Sequence, residues 1–224
     1  MKKLHMRKNE TGGILITFCG LDGCGKTTMI RKLSADLSQK HIVFLTKQPT
    51  DFVRQSAIFR TYMDSPDHDA YDYRSLSLLA ASDRLQHCNK VIEPLMKEGK
   101  IVISDRYFYS CLANLRARGF QSDSWIYEVA QSIIQPDLAF FFDVPVETAV
   151  SRVRCRPEEK DRYIDMDLQQ ALRNEYLKIC KRNGGILVPT DISPEESYQI
   201  VKKATEDFLS KKGGAFDARY CKGV

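Results

Sequence analysis

Five short apolar runs recur along the chain, separated by stretches whose apolar residues follow a helical spacing. The runs hardly alternate with polar residues, and they are rich in β-branched and aromatic side chains. Such runs are typical of strands covered on both faces, and the helical stretches between them indicate a parallel sheet with crossover helices. The five predicted strands are Ile14–Phe18, Ile42–Leu45, Ile101–Ser104, Leu138–Phe142 and Ile186–Val188.

Helix boundaries are marked at two places. The stretch 71–97 carries apolar residues at helical spacing and ends at Gly99, a residue type that commonly closes helices. Residues 193–196, Ser-Pro-Glu-Glu, form a capping box with proline at the first helical position, so a final helix is predicted from there to about Lys212. The whole pattern predicts an α/β fold with a five-stranded parallel sheet and helices on both faces.

The chain is predicted to form one domain. Its 224 residues suit a single α/β domain, and no linker, repeat or low-complexity segment interrupts them. The basic start lacks the apolar core of a secretory signal, so residues 1–12 are predicted to be a flexible, solvated tail. Residues 13–212 form the predicted domain, and two adjacent glycines are expected to release a C-terminal tail over 213–224.

Composition excludes several classes of function. The net charge of +5 is mild and no long block of like charges occurs, so a nucleic-acid partner is not expected. No run of 18 apolar residues is present, so no membrane span is expected either. The seven scattered cysteines are odd in number and form no C-x-x-C pair. They favour reduced thiols in a cytoplasmic protein over a disulfide framework or a zinc site.

The segment from Gly20 to Thr27 fits the spacing G-x-x-x-x-G-K-[ST] of a phosphate-binding loop. It lies between a predicted strand and a helical stretch, so the positive helix end faces the bound anion. Lys26 is expected to reach the β- and γ-phosphates and the Thr27 hydroxyl to ligate Mg²⁺. The predicted nucleotide-binding residues here are Gly20, Asp22, Gly23, Cys24, Gly25, Lys26, Thr27 and Thr28.

The third predicted strand ends in a carboxylate followed directly by a guanidinium. Residues at the carboxyl ends of parallel strands face the ligand crevice. Asp105 is therefore expected to hold Mg²⁺-bound water near the phosphates, and Arg106 to bind a phosphate through paired hydrogen bonds. The alternative is an Asp–Arg ion pair that merely closes the strand.

Basic residues crowd the segment 152–162, which holds four arginines and one lysine between two helical stretches. Phosphoryl transfer needs cations near the moving γ-phosphoryl group, and a mobile basic loop can deliver them while excluding water. A solvated helix end with i,i+4 ion pairs is the alternative. The spacing does not identify which arginine acts.

In their order and spacing, these three segments resemble the thymidylate kinase family of nucleoside monophosphate kinases. The resemblance runs from about Ile14 to Leu209 and also rests on residues 78–87, Leu-Leu-Ala-Ala-Ser-Asp-Arg-Leu-Gln-His, and on 136–138, Pro-Asp-Leu. It implies a P-loop kinase fold with a mobile lid, ATP and Mg²⁺ on the donor side, and phosphorylation of dTMP. A homodimer is also implied.

The resemblance also implies roles for single residues. Asp22 would hold the sugar hydroxyl of the acceptor, Arg84 its base, and Arg152 would flank the adenine of ATP. Some members carry a catalytic arginine inside the phosphate loop, but this chain has none there. The catalytic arginine is therefore expected in the lid, where Arg162 is a candidate in addition to Arg154 and Arg156. The predicted catalytic residues are Lys26, Asp105, Arg106, Arg154 and Arg156, the metal ligands Thr27 and Asp105, and the acceptor-binding residues Asp22, Lys47, Arg84, Arg106 and Asn114.

Three departures from the family pattern lie on the acceptor side. Ala80 stands where the family usually stacks a phenylalanine on thymine, and Asn114 where it has a tyrosine beside the ribose 2′ position. Lys47 replaces an arginine, which keeps the charge but loses bidentate geometry. A lost stacked ring costs about 1 kcal/mol beyond lost burial. Another pyrimidine or modified nucleoside monophosphate is therefore the alternative acceptor.

Two other classes are less favoured. A nucleotide-dependent switch would carry a guanine-reading motif, and the chain has none. An inactive homologue is disfavoured because the phosphate loop and the Asp-Arg pair are intact.

Overall fold

The computed structural model describes residues 2–64 and 70–220, and its centre is a five-stranded, all-parallel sheet. The strand order is β2-β3-β1-β4-β5, so the strand made first lies in the middle. All five predicted strands and the α/β class are confirmed. The strands are β1 (Ile14–Gly20), β2 (Val43–Lys47), β3 (Ile101–Asp105), β4 (Leu138–Asp143) and β5 (Ile186–Pro189).

Helices cover both faces of this sheet. In the described ranges they are α1 (Lys26–Leu37), α2 (Asp51–Arg54), α3 (Ala57–Asp64), α4 (Tyr73–His87), α5 (Glu93–Lys97), α6 (Phe108–Ala117), α7 (Trp125–Ala130), α8 (Val146–Arg154), α9 (Met166–Asn183) and α10 (Pro194–Tyr220). None of these helices combines the length and apolar character that a bilayer crossing requires.

The predicted helical stretch 71–97 is present, but it is not one regular helix. A π-helical segment, Cys88–Ile92, joins α4 to α5. Gly99 ends the stretch with φ +77°, and its N–H donates to the carbonyl of Met96 at 3.0 Å. The predicted role of Gly99 as a helix-closing residue is confirmed, because this left-handed conformation is one that glycine adopts without steric cost.

The core is built around β1, whose seven residues are all buried. The Phe18 ring stacks on that of Phe142 from the adjacent strand, with centroids 5.4 Å apart. The parallel register aligns Phe18 with Asp105 of β3 and Gly20 with Phe142 of β4. The loop after β1 and the Asp-Arg pair after β3 therefore emerge at the same edge of the sheet.

The final helix begins as predicted and ends later than predicted. Ser193 Oγ accepts from the N–H of Glu196 at 3.1 Å, and the Glu196 carboxylate accepts from the N–H of Ser193 at 3.1 Å. This reciprocal pair confirms the capping box. The helix then continues past Lys212 through two glycines to Tyr220, which corrects the predicted end. A glycine costs only about 1 kcal/mol in a helix interior, so it does not by itself end one.

The N-terminal segment is docked, which corrects the prediction of a solvated tail. Leu4 is 4% exposed, and its N–H donates to Asn183 Oδ1 at 2.9 Å. Arg7 forms a parallel bridge with Ile134, through hydrogen bonds of 2.8 and 2.7 Å on either side. The Arg7 guanidinium also pairs with Glu93 at 2.8 Å. Two apolar residues in a basic run, Leu4 and Met6, are too few to mark such a segment in the sequence.

Candidate active site

A cleft of about 1110 Å³ opens at the carboxyl edge of the sheet. The phosphate loop, the ends of β2 and β3, and residues of α2, α3, α4, α6 and α9 line it, together with the segment after α8. Most predicted site residues meet here: Asp22, Gly23, Gly25, Lys26, Thr27, Thr28, Lys47, Arg84, Asp105, Arg106, Asn114, Arg152 and Arg156. Gly20, Cys24 and Arg154 belong to the predicted set but do not line the cleft.

The phosphate loop needs its glycines for two reasons. Gly20, Gly23 and Gly25 all have positive φ, at 142°, 80° and 92°. A Cβ on Gly23 would lie 2.1 Å from the carbonyl oxygen of Ala149, so a side chain there would force the loop away from α8. The loop is also tied down from β5, because Thr190 Oγ1 donates to the Cys24 carbonyl at 3.0 Å.

The Lys26 ammonium is nearly buried at the loop. Its Nζ donates to the carbonyls of Leu21 and Gly20, at 2.6 and 3.2 Å. The residue opens α1, whose first N–H groups point toward the cleft. A mobile cation and a positive helix end therefore meet at one place, which suits the phosphates of a nucleotide.

Asp105 carries a buried acceptor that is not satisfied within the described residues, because its Oδ1 has no hydrogen-bond partner there. Thr27, the second residue of α1, lines the cleft and carries a hydroxyl. Mg²⁺ prefers oxygen ligands and commonly takes one or two from protein, with phosphates and water completing its octahedron. The described residues hold no cluster of three acidic, histidine or cysteine groups that would cage a metal. These oxygens therefore fit Mg²⁺ bound together with a nucleotide.

Arg106 is held in an unusual backbone conformation, with φ +68°. A residue with a side chain pays about 1–2 kcal/mol to adopt it. The guanidinium donates to the Gly20 carbonyl and the Tyr176 hydroxyl, each at 3.0 Å, and pairs with Asp22 at 2.5 Å. Although burial opposes the charge, the Asp22 carboxylate raises the pKa of Arg106 well above its ordinary value. The side chain is a fixed cation that reaches across the cleft to the phosphate loop.

Asp22 is paired with cations from two directions. Arg106 approaches from the end of β3, and Arg162 approaches from the segment after α8, at 3.5 Å. Partial burial opposes ionisation of the Asp22 carboxyl, but the charges of Arg106, Lys26 and Arg162 hold its pKa well below the usual range. Arg162 also pairs with Glu159 at 2.9 Å. Among the arginines of the segment 152–162, Arg162 is thus the one that forms an ion pair with the phosphate loop, through Asp22.

The other lid arginines lie differently. Arg152 lines the cleft and donates to the carbonyl of Thr190 at 2.9 Å. Arg156 lines the cleft from an exposed position. Arg154 is exposed and is not a lining residue, which differs from the prediction that it is catalytic. Since α8 turns about 100° per residue, Arg154 lies roughly 200° around the helix from Arg152 and faces away from the cleft.

Two cations line the cleft where β2 and α2 end. Lys47 ends β2, in register with Asp105 of β3. Arg54 ends α2, and its Nε donates to the carbonyl of Pro49 at 2.8 Å. Partial burial, together with the neighbouring charge of Arg54, lowers the pKa of Lys47. Burial and the charge of Arg106 lower the pKa of Arg54. Arg54 belongs to no motif, so no sequence pattern selects it.

The turn that carries these cations is anchored to α4. Asp83 accepts from the N–H of Thr50 at 2.8 Å and also from its hydroxyl. One turn further on, the ring of His87 bonds Thr46 Oγ1 at 2.9 Å through Nε2 and Gln48 Nε2 at 3.0 Å through Nδ1. No sequence pattern predicts these positioning contacts, because they join segments far apart in the chain.

Arg84 lies between the anchor and the cleft. It is buried, and its terminal nitrogen donates to the Ala80 carbonyl at 2.9 Å. Its Nε is buried and has no acceptor among the described residues. A donor in this state favours a ligand oxygen in the cleft beside it.

An aromatic and cationic wall lines the pocket at the start of α4, the helix that also carries Arg84. Arg118 lies 4.0 Å from the Tyr73 ring centroid, and the rings of Tyr73 and Tyr62 are 5.0 Å apart. The Asn114 amide is engaged within α6, since it donates to Ser110 and accepts from Arg118, each at 2.9 Å. These rings supply apolar surface near the start of α4, two turns before Ala80.

A family model described as thymidylate kinase matches residues 18–203. A protein of Pyrococcus horikoshii named "Probable thymidylate kinase" is 37% identical over 172 residues, which is 75% of this chain and 83% of the relative. A protein of the same name from Thermococcus onnurineus is 37% identical over 175 residues, 75% of this chain and 85% of the relative. A third of this name, from Caldivirga maquilingensis, is 32% identical over 203 residues, 88% and 92% of the two chains.

Proposed function

Because this chain belongs to the thymidylate kinase family, we propose that it transfers the γ-phosphoryl group of ATP to dTMP, releasing dTDP and ADP. It is a nucleoside monophosphate kinase, a phosphotransferase. The observation that carries the proposal is the placing of two phosphate-binding groups of residues in one cleft. Lys26 and the start of α1 form the donor end, and Arg106 with Lys47 forms the acceptor end.

The proposed mechanism is in-line transfer. An oxygen of the acceptor phosphate bonds to the γ-phosphorus while the bond from that phosphorus to the bridging oxygen of ADP breaks. Lys26 neutralises the donor phosphates, and Arg106 aims the acceptor phosphate. No strong general base is needed, because the acceptor phosphate is already anionic near pH 7.

Thr27 and Asp105 are the residues that would hold Mg²⁺. The unsatisfied Asp105 Oδ1 supports this assignment. When bound, Mg²⁺ neutralises charge on the β- and γ-phosphates. The other residues between Gly20 and Thr28 are proposed to bind the phosphates through their backbone N–H groups. Gly20 and Cys24 do not line the cleft and are proposed to shape the loop.

The lid is proposed to be the segment from Arg152 to Arg162. Closing it over the nucleotide would exclude water and bring guanidinium groups to the γ-phosphoryl group. The ion pair between Arg162 and Asp22 supports Arg162 as the residue that performs this role, ahead of Arg154 and Arg156. Arg152 is proposed to flank the adenine.

The acceptor base is proposed to lie between Arg84 and the aromatic wall of Tyr62 and Tyr73. The unsatisfied Nε of Arg84 supports recognition of a base oxygen. Asp22 is proposed to bind the sugar hydroxyl, and Asn114 to border the ribose. The named relatives favour dTMP over other pyrimidine nucleotides.

A coupled assay of ADP release tests the proposed reaction. ATP·Mg²⁺ is supplied with dTMP, dUMP, dCMP, CMP, UMP or dGMP in parallel reactions. We expect the highest kcat/KM with dTMP. A higher value with another monophosphate would show that the replacements at Ala80 and Asn114 changed the acceptor, and no turnover with any of them would reject the reaction.

The chain is also proposed to act as a homodimer in the cytoplasm. Large apolar side chains are exposed at one edge of the sheet, on β2 and just before it, and on α4; these are Ile42, Phe44, Leu45 and Leu78. Exposed apolar residues grouped in this way favour a protein interface. The described cysteines, Cys19 to Cys180, are free thiols, which suits a reducing compartment.

A further inference from the structure

The acceptor end of the cleft has an additional guanidinium that no motif explains. Arg54 closes the short helix α2 and lines the cleft beside Lys47. Its Nε is used by the Pro49 carbonyl at 2.8 Å. Within the described residues, neither terminal nitrogen of this guanidinium meets a protein acceptor. Two N–H-bearing groups of a partly buried cation therefore remain available to a ligand.

The surrounding charges identify that ligand as an anion. The charges of Lys47 and Arg106 act on Arg54 within the same partly buried region, and such a group of cations repels itself. Asp22 and Asp105 offset part of this charge, but Asp22 is already paired with Arg106 and Arg162. An entering dianion would relieve the repulsion and satisfy the free donors.

The Arg54 side chain is also held ready. Its Nε bond to Pro49 fixes the plane of the guanidinium, and Asp83 fixes the same turn through Thr50. A planar guanidinium with two free nitrogens can bind two phosphate oxygens at once, which an ammonium such as that of Lys47 cannot do.

We propose that Arg54 binds the 5′-phosphate of the acceptor nucleotide through its terminal nitrogens, alongside Lys47 and Arg106. Arg54 thus supplies the two-point contact that a lysine at position 47 lacks. The assignment rests on the proposed function, and it adds a substrate-binding residue to the acceptor end of that site.

The test compares Arg54→Gln with wild type and with Arg182→Gln. Arg182 is an exposed arginine in the last turn of α9 that does not line the cleft, so its variant removes the same charge elsewhere. KM is measured for dTMP and for ATP, and Kd is measured for dTMP and for thymidine, which has no phosphate. Circular dichroism checks that each variant is folded.

We expect Arg54→Gln to weaken dTMP binding by about 10- to 100-fold, as expected for losing hydrogen bonds to a charged group. The KM for ATP and the Kd for thymidine should stay within about twofold, as should all values for Arg182→Gln. Arg54→Lys should recover part of the dTMP affinity, because it restores the charge without the planar pair of donors.

Two results would overturn the assignment. Unchanged dTMP binding in Arg54→Gln would remove Arg54 from the site. Equal weakening of dTMP and thymidine would mean that Arg54 only supports the turn at Pro49. If wild type prefers another monophosphate, that nucleotide and its nucleoside replace dTMP and thymidine. A wild type that binds no nucleoside monophosphate rejects the proposed function and this assignment with it.

Discussion

The ammonium of Lys26 lies against two carbonyls of the phosphate loop, at the start of α1. We predict that Lys26→Ala lowers kcat by at least about 100-fold, since a fixed cation or donor at the reacting group contributes that much to stabilising a transition state. Steady-state kinetics measure the loss, and an unchanged circular dichroism spectrum controls for folding. A variant with near wild-type turnover would exclude Lys26 from the chemistry.

The lid arginines differ in their relation to Asp22, and kinetics can separate them. Arg162→Ala is predicted to lower kcat by at least about tenfold, because a charge-assisted contact to the γ-phosphoryl group is lost. Arg154→Ala should leave kcat within about twofold, since this exposed side chain lies outside the cleft. Both variants are measured at saturating ATP and acceptor. The reverse order would return the catalytic role to Arg154.

Residues whose roles depend on local spacing could be predicted from the sequence. The phosphate loop and the pair Asp105-Arg106 are short motifs next to strands, and the sheet edge brings them together. Arg54 could not be assigned in this way, and Arg162 could only be placed among the candidates of the basic segment 152–162. Their meaning comes from neighbours far along the chain, such as Asp22, and an arginine outside a motif is indistinguishable from a solvated one.

Helix α4 serves as the scaffold of the acceptor end. Asp83 and His87 are four residues apart, so they project from the same face of the helix toward the turn after β2. Arg84 projects beside them into the cleft. One helix therefore anchors the turn that carries Lys47 and Arg54 and also holds Arg84, so under the proposed assignments it would couple the placing of phosphate and base.

Stability should depend on pH through this helix. Burial lowers the pKa of His87, with Asp83 opposing the change and Arg84 adding to it. An unfolded chain takes up a proton at His87 near pH 6.5, whereas the folded chain resists it. The contribution of neutral His87 to the free energy of unfolding is therefore fully present above pH 6.5. Below pH 6.5 the free energy of unfolding falls, by at most about 1.4 kcal/mol per pH unit.

Urea unfolding at pH 7.5 and pH 5.5 checks this expectation. The decrease in unfolding free energy should be smaller in His87→Gln than in wild type. His41→Gln is the matched control, because His41 is exposed and has no resolved contact with the α4 network. Equal pH dependence in all three proteins would mean that His87 protonates freely in the folded chain.

At the level of elements, the apolar pattern predicted the strands and helices whose positions depend on burial. The central strands β1, β3 and β4 are recognisable because they are buried on both faces, whereas the edge strands β2 and β5 keep an apolar run although they are partly exposed. The capping box at Ser193 is recognisable because its bonds are local. The docked start of the chain was missed because a single bridge between Arg7 and Ile134 leaves no periodic pattern. The π-helical segment was missed because its apolar spacing matches that of an ordinary helix.

Across the whole molecule, the exposed apolar edge at β2 predicts self-association. We expect wild type to sediment with twice the mass of the 25.7 kDa chain. The double variant Leu45→Glu with Leu78→Glu should sediment as a single chain, because two charges would enter the interface. Leu187→Glu, at the opposite edge of the sheet and similarly exposed, is the control and should stay dimeric. A monomeric wild type in sedimentation velocity would reject the dimer.

The central place of β1 has a consequence for how the protein is made. This strand leaves the ribosome first, yet the N–H of Leu15 is bonded to Asp137, 122 residues later. At about 5–20 residues per second, translation needs roughly 6 to 24 s to deliver that partner. Until β4 is made, the apolar strand β1 lacks at least one of its two neighbours, β3 and β4, and is open to aggregation. The strand that supports the nucleotide site is thus the part of the nascent chain that most needs protection by a chaperone.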